Sequence, residues 1–278
     1  MAKAANKSAD NNKASGSKDG PAWMRLHKWN VRLAVLYALQ GIFILLLSAT
    51  KLFPVETSYL TQDPIASELV GHTVMTTASR HLFDINLAYV AGAIFLVAAL
   101  AHAAIATLYR EQYQTDLKKG VQRLRWVEYA LGNGLLFVAL GLLVGARELA
   151  VLITLFVLAA AANLLRLGVE LWQSRAKGQA NYILPALAVL ADLGAWAGVA
   201  VYLWGSGTFG SNGLPTFVYF LFGSAFIFAV GCTIRMFLSL RGYRKLGDPV
   251  FAERLYMFSG LVTKTILVWQ IFAGALRT

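Results

Sequence analysis

Seven long apolar runs decide what this chain can fold into. They lie at about 31–50, 82–108, 124–145, 149–171, 182–204, 215–239 and 252–276. Each has roughly the 20 residues an α-helix needs to cross the hydrocarbon of a bilayer. Inside lipid every backbone N–H and C=O must find a partner within the protein, so runs of this length are satisfied as helices. The expected fold is an all-α membrane protein, a seven-transmembrane-helix bundle. With 278 residues, 58% hydrophobic and 14% charged, one bundle accounts for the chain.

The segments between the runs are short, with one exception. Residues 1–22 are rich in Ala, Lys, Asn, Ser, Asp and Gly and hold no apolar run. They are expected to be a disordered tail, neither signal peptide nor span, ahead of a transmembrane domain over 23–278. Trp23, His27, Lys28 and Trp29 make a basic, aromatic segment suited to the membrane surface. The long loop is 51–81, with Pro54, Pro64 and the β-prone stretch from Val55 to Thr61. A short β-hairpin is expected there. Trp172–Asn181 separates the fourth and fifth runs, and the turn-rich stretch Gly205–Gly213 separates the fifth and sixth.

Charge sets the orientation. Of the 25 Lys and Arg, 20 fall on the side of the N-terminus, and only Lys51, Arg80, Arg147 and Arg277 fall on the other. Positive residues gather on the cytoplasmic side, so the N-terminus is expected inside and the C-terminus outside. The formal net charge of +11 then serves topology and contact with anionic lipid rather than nucleic acid. The single cysteine, Cys232, excludes an intrachain disulfide.

One cation does not fit the pattern. Lys264 lies near the middle of the last run, about 16 Å from Glu253 and about 20 Å from Arg277 at helical rise. Its stem cannot reach either surface. An ionisable group at that depth marks function, and its partner has to be named. Helical side chains lean toward their own N-terminus, so Lys264 leans toward the cytoplasmic half. Glu128, one turn into the third run, lies in that half. It pairs with Lys264, or with Arg125 or Arg123 at the surface. His102 is about 12 Å from Arg110 among small residues, and Tyr37 is about one and a half turns inside the first run. Separately they suit an interhelical hydrogen bond and an interfacial tyrosine. Together with Glu128 they form a candidate polar cluster near Lys264.

Asp192, near the middle of the fifth run, is either a second functional carboxylate or a protonated acid bonded to a neighbouring helix. No charge partner for it can be named, which favours the second. Asp84, Arg166, Glu170 and Arg235 lie toward run ends and are expected at the interface. There is no Cys/His metal spacing, no phosphate-binding Gly motif and no nucleophile elbow. His72 and His81 lie in the outer loop region, away from His102. Enzymatic catalysis of the soluble type has no support.

Seven spans with one mid-bilayer lysine in the last resemble retinal proteins. In that class the lysine amine bonds retinal as a Schiff base and a carboxylate serves as counterion. The arginine three residues before that carboxylate matches Arg125 and Glu128. Ordinary microbial rhodopsins have the N-terminus outside, whereas heliorhodopsins are the inverted family. Arg125-Trp126-Val127-Glu128-Tyr129 resembles the heliorhodopsin third-helix motif. Glu253-Arg254-Leu255-Tyr256, then Leu261-Val262-Thr263-Lys264-Thr265, then Trp269 and Phe272-Ala273-Gly274, resembles the seventh-helix signature. The likeness runs through all seven spans. It departs at Gly260, where the family usually has serine and Ser259 stands beside it, and at Tyr37, which aligns with a family histidine.

The resemblance implies all-trans retinal bound covalently to Lys264, with Glu128 as counterion. Tyr129, Asn133, Phe226, Thr263 and Trp269 are candidate pocket residues. His102, Tyr37, Arg125 and Ser259 are candidates for the polar cluster that takes the proton after light. It further implies a multi-pass protein of the cell membrane, a homodimer, an unidentified cytoplasmic signalling partner, and sensing or regulation without net ion transport. Proton pumps of the broader class carry a carboxylate four residues before the lysine, where this chain has Gly260, and a donor acid further along the third span, where it has Ala139. The rival expectations are a light-driven proton or ion pump or channel using His102 or Asp192, and a transporter without chromophore in which Lys264 and Glu128 hold a substrate.

Overall fold

The computed structural model describes residues 20–176, 181–211, 213–243 and 248–277. In chain order the elements are α1 (Pro21–Leu47), β1 (Leu52–Gln62), α2 (Pro64–Val70), β2 (Met75–Asn86), α3 (Leu87–Ala106), α4 (Arg110–Lys118), α5 (Arg123–Leu143), α6 (Leu149–Arg175), α7 (Ile183–Phe209), α8 (Thr216–Leu240) and α9 (Pro249–Ile271). A π-helical segment, Phe272–Leu276, extends α9. Among the described residues, seven helices are long and apolar enough to cross a membrane: α1, α3 and α5 to α9.

Lipid tails are as apolar as leucine, so the helices associate through close packing and internal polar contacts rather than a hydrophobic drive. Glycines let neighbouring helices approach closely. A Cβ at Gly92 of α3 would meet Leu45 of α1 at 2.8 Å, and one at Gly134 of α5 would meet Phe156 of α6 at 2.7 Å. Aliphatic and aromatic side chains from α1, α3, α5, α6 and α9, such as Ile44, Phe95, Leu140, Leu155 and Val268, form the continuous core.

Several boundaries differ from those the sequence suggests. The first helix starts at Pro21, where the pyrrolidine ring suits the first helical turn, so the helix takes in the last two residues assigned to the tail. The rest of that assignment, residues 1–19, lies outside the described residues. The fourth spanning helix runs on to Arg175, and the fifth runs through the glycine-rich stretch to Phe209. There the Ser206 hydroxyl donates to the Val144 carbonyl at 3.2 Å.

The hairpin is longer than the short one expected. Its antiparallel strands pair from Leu52 with Asn86 to Gln62 with Met75, with a bulge after Val55. The second strand takes Leu82 to Asn86, assigned by hydropathy to the second span. The switch to helix falls at Asn86, whose side chain accepts from the Ala88 N–H at 3.0 Å and caps α3.

The hairpin is tied to the bundle at the start of α6. The Glu56 N–H donates to the Arg147 carbonyl at 3.0 Å, and the Arg147 guanidinium sits 4.6 Å from the Phe53 ring centroid. The Ser58 N–H and hydroxyl donate to the Glu148 carboxylate at 3.1 and 2.8 Å. These bonds hold the Glu148 carboxyl below the usual glutamate range. A carboxyl whose folded value is depressed contributes stability above its unfolded pKa and loses it as pH falls through the folded one. Pepsin cleavage within residues 52–86 should therefore accelerate as pH drops through the acid range. Glu148→Gln should cleave at the faster rate throughout that range. Equal rates for the two proteins would show that this contact does not hold the hairpin.

Candidate functional site

The site follows from where helical periodicity aims four side chains. Lys264 is buried in α9 and Glu128 in α5. Lys264 Nζ lies 3.0 Å from Glu128 Oε1 and donates to Oε2 at 3.3 Å. The same nitrogen is 4.3 Å from the Tyr129 ring centroid and 5.8 Å from that of Tyr37. Arg125, the other partner considered for Glu128, turns away and pairs with Glu170 and Glu253.

Gly260 makes room for this arrangement. It stands one helical turn before Lys264, and a Cβ there would come within 2.6 Å of the Tyr129 hydroxyl. That hydroxyl donates to the Tyr256 carbonyl at 2.9 Å, fixing the ring beside Lys264. The neighbouring Ser259 points elsewhere, to Arg235 and the Tyr256 carbonyl.

Tyr37 and His102 do come together. Their rings stack at 5.6 Å with 14° between planes, and both line a small cavity with Glu128 and Lys264. Sequence alone gives His102 no bonded partner, and Asn30 supplies one: His102 Nδ1 lies 2.8 Å from Asn30 Oδ1. Asn30 also bonds Tyr113, whose hydroxyl donates to Glu253 Oε1 at 3.2 Å. Burial, with the nearby Glu253 carboxylate, holds the Tyr113 hydroxyl well above the ordinary tyrosine value and keeps it a donor.

On its other side Lys264 opens into a larger cavity. Its walls are largely aromatic and aliphatic, with Trp126, Leu136, Phe137, Trp196, Phe228 and Leu267. Trp196 is held edge-on by Phe137 at 4.9 Å and by Phe222 and Phe226 at 5.2 Å. Of the candidate pocket residues, Tyr129, Asn133 and Thr263 line this cavity. Phe226 packs behind Trp196 and is 42% exposed. Trp269 turns toward α1 and donates to Gln40 at 3.0 Å. The site thus sets an amine on the wall of a largely apolar cavity with a carboxylate beside it.

Three residues expected at the interface are not there. Arg166 is buried and pairs with Asp192, the acid for which the sequence offers no partner. Glu170 pairs with Arg125, and Arg235 is buried against Ser259. Arg166 and Glu170 stand deeper than their run implied, because α6 continues to Arg175, and rotation about the helix axis carries all three inward. Removing one partner of a buried pair leaves an uncompensated charge and costs about 3–5 kcal/mol. Asp192→Asn should lose stability on that scale in detergent unfolding measurements. A loss under about 1 kcal/mol would place the pair among those with little net effect.

A family model described as Heliorhodopsin matches residues 26–276. No curated protein shows significant similarity to the chain. The matched family is one of light-sensing rhodopsins with a retinal chromophore. Because the match passes through all seven spanning helices and includes both Lys264 and Glu128, the chain belongs to the heliorhodopsin family.

Proposed function

We propose that this protein is a light sensor in which Lys264 carries all-trans retinal and Glu128 is the counterion. The observation that carries this is the ion pair at 3.0 Å between Lys264 and Glu128, buried at the wall of the apolar cavity. Retinal, held as a Schiff base on Lys264, supplies the absorption of visible light and the isomerisation that follows. Glu128 holds the positive charge at Nζ, which would otherwise be a lone cation in oil. Tyr129, Asn133 and Thr263 orient the bound end of the chromophore, while Trp126, Phe137 and Trp196 exclude water. When the geometry at Nζ changes, its proton passes to the cluster of Glu128, His102 and Tyr37. It returns from there as the resting geometry is restored.

No net transport follows from this arrangement. Gly260 leaves no second carboxylate one turn from Lys264, and Asp192 is engaged by Arg166. The charge asymmetry of the sequence supports a cytoplasmic N-terminus in the cell membrane. A homodimer and an unidentified cytoplasmic signalling partner, implied by the resemblance in the sequence, belong to this proposal. Illuminated cells should show no sustained change in external pH, with or without an uncoupler. A sustained change abolished by the uncoupler would instead establish a light-driven pump or channel routed through His102 or Asp192.

A further inference from the structure

Among the buried bases, one is unlike the rest. Lys264 has Glu128, Arg166 has Asp192, and Arg125 has both Glu170 and Glu253. Arg235, only 9% exposed on α8, has no carboxylate partner among the described residues. Its terminal nitrogens contact the Ser259 hydroxyl and, at 3.3 Å, the Cys232 sulfur, both on the cavity wall. Its Nε–H is buried with no acceptor among the described residues. The guanidinium carbon lies 3.7 Å from the Tyr256 ring centroid, and Arg125 contacts that same ring at 4.0 Å.

A guanidinium offers five N–H donors and keeps its charge at any pH a protein meets. A hydroxyl, a thiol and a ring face lower the cost of burying it, but none neutralises it. Arg235 sits five residues from the end of α8, yet its side chain is held inward by Ser259 and does not reach the surface. Tyr256 is in contact with both the Arg235 and the Arg125 guanidiniums, and the two carboxylates there, Glu170 and Glu253, pair with Arg125. A fixed positive charge thus faces a cavity large enough to take a counter-ion.

We infer that Arg235, with Ser259, binds a small inorganic anion of the halide class on the wall of the main cavity. Ser259 precedes Lys264 by five residues, about one and a half helical turns. An anion there acts on the Lys264 end of the cavity. It adds negative charge near Nζ, holds positive charge at that end, and moves the visible absorption to shorter wavelength.

Chloride is the probe, exchanged for gluconate at constant ionic strength. In the retinal-free protein the melting temperature should rise saturably with chloride, because a ligand that binds only the folded state stabilises it. Arg235→Gln should remove that dependence. In the retinal-reconstituted protein, chloride should shift the band to shorter wavelength. Arg235→Gln should already lie on the short-wavelength side of the chloride-free parent and ignore chloride. Where Arg235→Gln does not fold, Arg235→Lys keeps the charge and loses the fork, so its chloride midpoint should move to higher concentration.

A parent protein with the same melting temperature and band in chloride and gluconate overturns the inference. So does an equal response to chloride and sulfate at matched ionic strength, which is screening rather than a site. An Arg235→Lys midpoint equal to the parent's overturns it as well. The colour readout rests on the proposed retinal link and the melting readout does not. A chloride-dependent melting temperature in a protein that forms no pigment would keep the anion site and remove the retinal reading.

Discussion

Lys264→Ala should abolish the visible absorption that appears when retinal is added to the purified protein. The cavity beside Lys264 is lined mostly by apolar groups, so any retinal the variant still binds without the covalent link should absorb in the near ultraviolet. What it loses is the nitrogen that can form the covalent link. Among the described residues no other amine lines this cavity, because its remaining bases, Arg166 and Arg235, are guanidinium groups that do not condense with aldehydes under ordinary conditions. The loss of the visible band should therefore be complete rather than partial. The variant also leaves Glu128 buried without its partner. The cost is about 3–5 kcal/mol if the acid stays charged, and less if it takes up a proton. Retained helical content in the variant separates loss of the link from loss of the fold. A visible band that survives in Lys264→Ala would place the link on another residue.

Glu128→Gln should shift the visible band of the retinal-reconstituted protein to longer wavelength. At 3.0 Å and an effective dielectric near 20, the attraction between Nζ and the carboxylate is of order 5 kcal/mol. Light absorption draws positive charge away from Nζ along the polyene, so that attraction stabilises the resting state more than the excited one. Removing the charge lowers the gap. The amide keeps the size and one acceptor of the acid, so packing against Gly132, where a Cβ would lie 3.5 Å from Glu128 Oε1, changes little. Glu170→Gln is the informative contrast. Glu170 belongs to Arg125 and not to Lys264, so its neutralisation should move the band far less. Equal shifts in the two variants would mean that Glu128 is not the principal counterion.

The features visible in the sequence are those that depend on position along a helix. Lys264 stands too far from either end of its run to escape the bilayer, and that depth alone demands an inward partner. Glu128 follows from depth and side-chain lean, and the two side chains meet as that geometry requires. Rotation about the axis is a weaker signal in these spans, because apolar residues cover both faces and leave little contrast between lipid and interior. That is why Arg166 and Arg235 look interfacial in sequence and are buried in the fold. Asp192 could not be matched because its partner lies 26 residues earlier on another helix.

Boundaries hid other features. Asn30, the partner of His102, falls one residue before the first apolar run, so a polar group fully buried in the bundle passes for part of the membrane-surface segment. Leu82 to Asn86 continue the hydropathy of the second span, and only the capping side chain of Asn86 marks where strand becomes helix. An asparagine within one turn of the start of a helix-forming apolar stretch is the signal the two share.

Resonance Raman spectra of the retinal-reconstituted protein in H2O and in D2O test the central claim most directly. If Nζ of Lys264 carries a proton held by Glu128, the C=N stretch should fall to lower frequency in D2O, and the frequency in H2O should change in Glu128→Gln. A C=N stretch that is the same in both solvents, or the absence of that band, would contradict a protonated link at Lys264.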